Sequence, residues 1–242
     1  MAKPFVSVII PAFNEAKRLP MTLIDIDKHL EDQDYSYEIL VVNDGSTDGT
    51  AEIVKRFSSI IENLKLIDNK INQGKGAAVK QGMLLAKGTW RLFMDADNST
   101  SIVEFNKMLP YFTQKYEIVI GSRNTRATRI LPNQDFLRYF LDKFQNLFIQ
   151  ALLLPGVWDT QCGFKCFSES AAIKLFNLMK LKGWGFDVEL LALAKKMNFK
   201  IKELPIFWAN DFRIQLPLRD YLQTLKEVAK VRWWLWKKAY NL

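Results

Sequence analysis

Two aspartates separated by one residue close an apolar run, Trp90-Arg91-Leu92-Phe93-Met94-Asp95-Ala96-Asp97. A buried strand that stops at paired carboxylates suits a cation site at the carboxyl edge of a parallel sheet. Carboxylate oxygens are hard ligands for Mg2+ or Mn2+, and such an ion normally shares its shell with substrate phosphates. Asp95 and Asp97 are therefore the candidate metal ligands, facing the diphosphate of a nucleotide-sugar. The competing explanation is that the acids merely open a helix, where negative charge and N-caps are common. The spacing by itself does not separate the two.

The elements that must position this pair can be read around it. Residues 5–11 form a β-rich apolar run, followed by a turn and by Leu19, Leu23, Ile26 and Leu30 at near-helical spacing. Residues 38–42 and 64–68 read as the second and third strands, and residues 117–120 as a fifth after the Asp-Ala-Asp strand. Asn43-Asp44-Gly45-Ser46-Thr47-Asp48-Gly49-Thr50 is turn-rich and supplies N-caps for the next helix. Asn72-Gln73-Gly74-Lys75-Gly76 opens a small-residue helix through Ala86, and a further helix is expected near 101–112. Five strands, most separated by helices, predict an open, mostly parallel α/β sheet flanked by helices. Ligands of such sheets bind beyond the carboxyl ends of the strands. Glu15, Asp44, Lys75, Asp95 and Arg123 all follow predicted strand ends or begin the next helix. Acids and bases thus gather on one rim, as a metal–diphosphate ligand requires, although polar residues collect in loops anyway. The glycine loop at 74–76 matches neither Walker A nor the dinucleotide G-x-G-x-x-G pattern, which weighs against those classes.

The chain has 242 residues, 49% hydrophobic and 25% charged, enough for a real core. Cys162 and Cys166 do not make a disulfide framework and read as reduced core residues. His29, the single histidine, reads as solvated beside Lys28 and Glu31. No charged-then-apolar leader opens the sequence, and the uncharged run at 144–158 is too short and polar to span a bilayer. The expectation is a cytoplasmic protein. Its net charge of +8 invites nucleic acid, an anionic membrane or a phosphorylated substrate.

The second half differs in character. A long helix is expected over 134–154, a loop and strand over 159–167, a helix from Trp184 on, and one or two short strands over 199–208, broken at Pro205. After Pro217 a helix carries Leu218, Leu222, Leu225, Ala229, Trp233, Trp236 and Tyr240 as an apolar stripe, widened by Val228, Val231 and Leu235. Six basic residues against two acidic ones lie in this segment. Tryptophans beside lysines fit a helix lying in a membrane interface, at least for its last two turns. No nucleic-acid motif accompanies them, so nucleic acid is set aside as a partner.

The successive motifs Val8-Ile9-Ile10-Pro11-Ala12-Phe13-Asn14-Glu15, Val41-Val42-Asn43-Asp44-Gly45-Ser46, Asn72-Gln73-Gly74-Lys75-Gly76 and Asp95-Ala96-Asp97 resemble those of family 2 inverting glycosyltransferases of the GT-A fold. Gly121-Ser122-Arg123, Asp159-Thr160-Gln161-Cys162-Gly163-Phe164-Lys165 and Trp184-Gly185-Phe186-Asp187-Val188-Glu189 are similar to the dolichyl-phosphate β-glucosyltransferases, with mannosyl relatives next. The resemblance implies a catalytic domain over 1–217, divided into a nucleotide-sugar-binding half (1–123) and an acceptor-binding half (124–217), with a basic amphipathic helix over 218–242. It implies that Pro11, Phe13 and Glu15 line the base and ribose pocket, that Asp44 contacts the nucleoside, and that Lys75 and Ala96 lie at the nucleotide. Asp95 and Asp97 would meet the cation and diphosphate, and Arg123 and Arg138 the acceptor lipid phosphate, with Arg213 closing over the phosphates. Asn43 stands where many relatives carry another aspartate.

The implied partners are UDP-glucose or GDP-mannose as donor, a polyprenyl or dolichyl phosphate as acceptor, Mg2+ or Mn2+, and the cytoplasmic face of a membrane. Eukaryotic glucosyl relatives have an N-terminal anchor, so attachment here would fall to the last helix or to a membrane-anchored partner protein. A phosphate acceptor needs no strong base, whereas a sugar-hydroxyl acceptor in polysaccharide synthesis would need one, with Asp187 as the candidate. A nucleotidyltransferase and a non-catalytic nucleotide-sugar-binding membrane-surface protein are the other classes carried forward.

Overall fold

The computed structural model describes residues 3–123, 136–209 and 218–242, with side chains at 136–143 and 218–220 outside the description. In chain order the elements are β1 (Val6–Ala12), α1 (Leu19–Glu31), β2 (Tyr37–Asp44), α2 (Thr50–Phe57), β3 (Leu64–Asn69), α3 (Lys75–Leu85) and β4 (Trp90–Met94). A 3₁₀ helix (Ile102–Lys107), α4 (Leu109–Thr113), β5 (Ile118–Ser122), α5 (Phe136–Leu152), β6 (Phe164–Ser168), α6 (Glu169–Leu178), α7 (Phe186–Lys196), β7 (Ile201–Pro205) and α8 (Leu218–Trp236) follow.

The described strands form one seven-stranded sheet in the order β3-β2-β1-β4-β6-β5-β7. Neighbours are parallel except at β6, which runs antiparallel to both β4 and β5. β1 is an interior strand: Val6 lies opposite Tyr37 on one side and Trp90 on the other. Its near-continuous apolar run is what a strand covered on both faces requires. Side chains alternate between two cores, Ile9 facing one and Val8 and Ile10 the other. α1, α2 and the 3₁₀ helix cover the second core, and α3, α5, α6, α7 and α8 cover the first. The sheet crosses residue 123, so the two halves drawn from the sequence share it.

Local chemistry explains most element ends. Leu19, Leu23, Ile26 and Leu30 are the buried face of α1, as their spacing predicts. Small residues Gly76, Ala78 and Gly82 on the buried face of α3 let that helix lie close to the sheet. The helix expected near 101–112 is broken into a 3₁₀ segment, capped by Ser101, and the short α4 with Pro110 in its first turn. Strand β7 is a single segment ending at Pro205. Helix α6, capped by the Ser168 hydroxyl, is an element the sequence reading did not separate. His29 is half-buried rather than solvated, and both cysteines are buried and free.

The last helix corrects the expected stripe. Its buried face is Tyr221, Thr224, Val228 and Val231, with Tyr240 buried beyond the helix end. Leu222, Trp233 and Trp236, expected on the same face, are 54%, 53% and 72% exposed. α8 thus carries two apolar stripes, one packed on the protein and one turned outward. Among the described residues no helix is long and apolar enough to cross a membrane.

Candidate active site

The rim is built by the carboxyl ends of β1, β2, β4, β5 and β7. Because β6 is reversed, it delivers its beginning to the same edge, and the loop over 159–163 lands beside β4. The Asp95 amide donates to the Gly163 carbonyl at 3.1 Å. A Cβ on Gly163 would lie 2.0 Å from Asp95 Oδ2, so only glycine leaves room for that carboxylate.

Asp95 and Asp97 are partly exposed, with side chains 35% and 19% accessible. Ala96 between them is buried, and its carbonyl accepts the Thr22 hydroxyl of α1 at 2.7 Å. Lys75 Nζ reaches Asp95 Oδ1 at 2.5 Å and lies 5.2 Å from the Trp184 ring centroid. Burial opposes the charge on Lys75, but Asp95 and Asp187 outweigh it and hold the amine above its ordinary value. Asp97 accepts the Ser99 amide at 3.0 Å and lies 3.9 Å from Arg18 Nη1. Arg18 also forms a two-point ion pair with Glu15, its Nε donating at 2.6 Å. Burial raises the Glu15 carboxyl; Arg18 pulls it back, and Asp97 and Asp95 push it further up. No group of three or more His, Cys, Asp or Glu gathers among the described residues. The donor set, two hard and accessible carboxylates, fits a divalent cation that takes its remaining oxygens from a diphosphate and water.

Pro11 is half-buried and Phe13 is 47% exposed at the end of β1. Asn14, at φ 56°, joins this turn to the next: its amide donates to Ser46 and its side-chain oxygen accepts the Thr47 amide, both at 2.9 Å. Asp44 is buried, and its carboxylate is directed to the glycine loop, accepting the Gln73 amide at 3.0 Å and the Gly74 amide at 2.8 Å. It therefore anchors the start of α3, whose preceding Gly74 sits at φ 99°. Asn43 bonds Asp68 at 2.8 Å.

On the other side, Arg123 is fixed by Asp159. The Arg123 amide, Nε and Nη2 donate to that carboxylate at 2.7, 2.8 and 2.9 Å. The guanidinium lies 5.4 Å from the Trp208 ring centroid. Burial would raise Asp159, but the Arg123 charge and hydrogen bonds hold its carboxyl below the ordinary value. Asp187 is buried and paired with Lys165 at 2.7 Å; Lys165 is fully buried and also donates to the Cys162 carbonyl. Burial pushes the Asp187 carboxyl up, against the pull of Lys165 and Lys75. Arg138 falls in the first turn of α5, where side chains are outside the description, and Arg213 lies outside the described residues.

The structure thus brings Glu15, Lys75, Asp95, Ala96 and Asp97 together, with Arg18 added, and sets Arg123 with Asp159 on the same rim at the end of β5. Arg18, Asp159, Lys165, Trp184 and Trp208 had no role assigned from the sequence. A basic residue three positions after Glu15, within reach of its carboxylate, and an aspartate opening the 159–165 motif are the available signals.

Comparison with known proteins identifies the family and the fold. The sequence profile described as Glycosyl transferase family 2 matches residues 7–176. A dolichyl-phosphate β-glucosyltransferase of Dictyostelium discoideum is 37% identical over 94% of this chain and 74% of its own length. The Saccharomyces cerevisiae protein of the same name is 33% identical over 94% and 74%. Among solved structures, glucosyl-3-phosphoglycerate synthase from Mycobacterium tuberculosis, in complex with Mn2+, UDP-glucose and phosphoglyceric acid, superposes with a TM-score of 0.71. It is 20% identical, over 95% of this chain and 78% of that one, and shares the fold. The chain belongs to glycosyl transferase family 2 and is a glycosyltransferase of the GT-A fold.

Proposed function

We propose that the protein transfers glucose from UDP-glucose to a polyprenyl phosphate of the dolichyl class, with inversion at the anomeric carbon. One observation carries this: an accessible acidic pair suited to a cation and diphosphate shares its sheet edge with a guanidinium, held by Asp159, suited to a phosphate. The names of the relatives supply the sugar and the lipid. In a single in-line displacement a phosphate oxygen of the acceptor attacks the anomeric carbon. The bond from that carbon to the diphosphate breaks, and its electron pair leaves with UDP. Asp95 and Asp97 would hold a divalent cation, Mg2+ or Mn2+, which neutralises charge on the leaving diphosphate. Lys75 and Arg18 add positive charge at the same place. Arg123 would orient the acceptor phosphate, joined by Arg138 and Arg213. The pairing of Asp187 with the buried Lys165 leaves it poorly placed as a base, which favours an acceptor that is already ionised.

Glu15, Phe13 and Pro11 would line the nucleoside side, with Asp44 holding the loop behind it. The catalytic domain would span 1–217, with 218–242 at the membrane. The outward stripe of α8 supports this attachment, because Leu222, Trp233 and Trp236 are exposed and Lys226, Lys230 and Lys237 lie on the same helix or just past it. The protein would then sit on the cytoplasmic face, and a membrane-anchored partner is the competing means of attachment. The test is incubation with radiolabelled UDP-glucose, polyprenyl phosphate and Mg2+, followed by organic extraction. Label in the lipid phase, and none from GDP-mannose, is the expected result. Label confined to water-soluble products would overturn the assignment.

A further inference from the structure

We infer that Glu203 is a positioning residue for the acceptor-binding arginine, acting through the backbone of the loop that holds Asp159. Glu203 lies on β7, the last strand of the sheet, opposite Ile120 of β5 and three residues before Arg123 in that register. Its two carboxylate oxygens accept two consecutive main-chain amides, Trp158 at 3.0 Å and Asp159 at 2.8 Å. The same peptide is gripped from the other side by Asn146 of α5, which donates to the Trp158 carbonyl at 2.5 Å. Asp159 in turn receives three hydrogen bonds from Arg123. A line of contacts therefore runs from Glu203 to two amides, to one carboxylate, to one guanidinium.

The chemistry of each step is specific. A loop peptide has no ladder partner, so its amides must be satisfied by a side chain or water. A carboxylate is the acceptor that can take two adjacent N–H groups with charge assistance. Holding both amides fixes the Asp159 backbone in position and direction. Asp159 spends its two oxygens on the Arg123 fork and amide, so a shift of the loop moves the guanidinium with it. Displacing a binding group by about 1 Å can cost on the order of a hundredfold in rate or affinity. Glu203 touches neither reactant and contributes only through this geometry.

The inference rests on the proposed role of Arg123, so the experiment separates the two. Glu203→Ala, Glu203→Gln and Arg123→Ala are compared in the full chain, with Michaelis constants for polyprenyl phosphate and UDP-glucose, and amide exchange at Trp158 and Asp159. Glu203→Ala should speed exchange at both amides and raise the lipid-phosphate constant about tenfold, leaving the UDP-glucose constant within about twofold. Glu203→Gln keeps one acceptor oxygen and should fall between the two. Faster exchange with an unchanged lipid constant, or equal rises in both constants, would overturn the positioning role. If Arg123→Ala also leaves the lipid constant unchanged, the arginine–phosphate assignment falls with it; if Arg123→Ala alone raises the constant, only Glu203 is excluded.

Discussion

The charged groups at the two sides of the rim are held in different ways. On the donor side Lys75 meets Asp95 through one contact, and Arg18, though paired with Glu15, reaches Asp97 only at 3.9 Å, with every one of these side chains partly exposed. On the acceptor side Arg123 is locked to a buried Asp159 by three hydrogen bonds, and that loop is itself clamped by Glu203. Single contacts in partial solvent are cheap to exchange, whereas a multiply bonded buried pair is costly to break. A donor bringing its own charges, and leaving changed after each turnover, needs the first kind of site. An acceptor phosphate that must be aimed at one carbon needs the second.

The largest expected effect tests the donor side. Asp97→Ala should lower kcat by about a hundredfold or more while shifting Tm by only a few degrees, because its carboxylate holds little besides the Ser99 amide. A rate within a few fold of wild type would refute the metal role. Asp159→Asn attacks the locked side. It should raise the Michaelis constant for lipid phosphate and destabilise the fold by about 2 kcal/mol, a low value because Arg123 keeps 34% of its side chain exposed.

The same substitution has a pH signature. The Asp159 carboxyl lies below its ordinary 3.8 in the folded protein, so its stabilisation is full above that value and fades as pH falls through the lower one. Denaturant melts of wild type should therefore weaken below about pH 4, and Asp159→Asn should show a shallower decline. Exchange on the donor side predicts a smaller effect. Lys75→Gln should tighten Mn2+ binding without nucleotide by several fold, read by electron paramagnetic resonance, since the ion no longer displaces an ammonium from Asp95. Unchanged Mn2+ affinity would count against a shared Asp95.

Trp233→Ser with Trp236→Ser should reduce binding to anionic liposomes about tenfold and leave Tm nearly unchanged, as both rings are exposed. Equal binding would place attachment elsewhere. Deleting residues 233–242 is a poorer test, because Tyr240 is buried and bonds Glu189 at 2.7 Å.

Where periodicity carried the information, the sequence was enough. The α1 stripe and the apolar run ending at Asp95 both report burial directly, and the rim followed from strand ends. Direction does not show in periodicity, so the reversal of β6 was invisible, and with it the approach of Gly163 and Asp159 to the site. Lys165 was missed because lysine is rarely buried without a partner, and its partner Asp187 is 22 residues away. On α8 hydropathy alone assigns the apolar residues to one stripe. They are two, and Thr224, buried at 3% exposure, marks the inner one where hydropathy did not.

Gly163 leaves no space between the start of β6 and the Asp95 carboxylate. Adding one methyl group there would alter no charge, remove no hydrogen-bonding atom and leave the rim's composition intact, yet it would evict an oxygen from its place. Such an enzyme would look complete by any inventory of its side chains and still be silent.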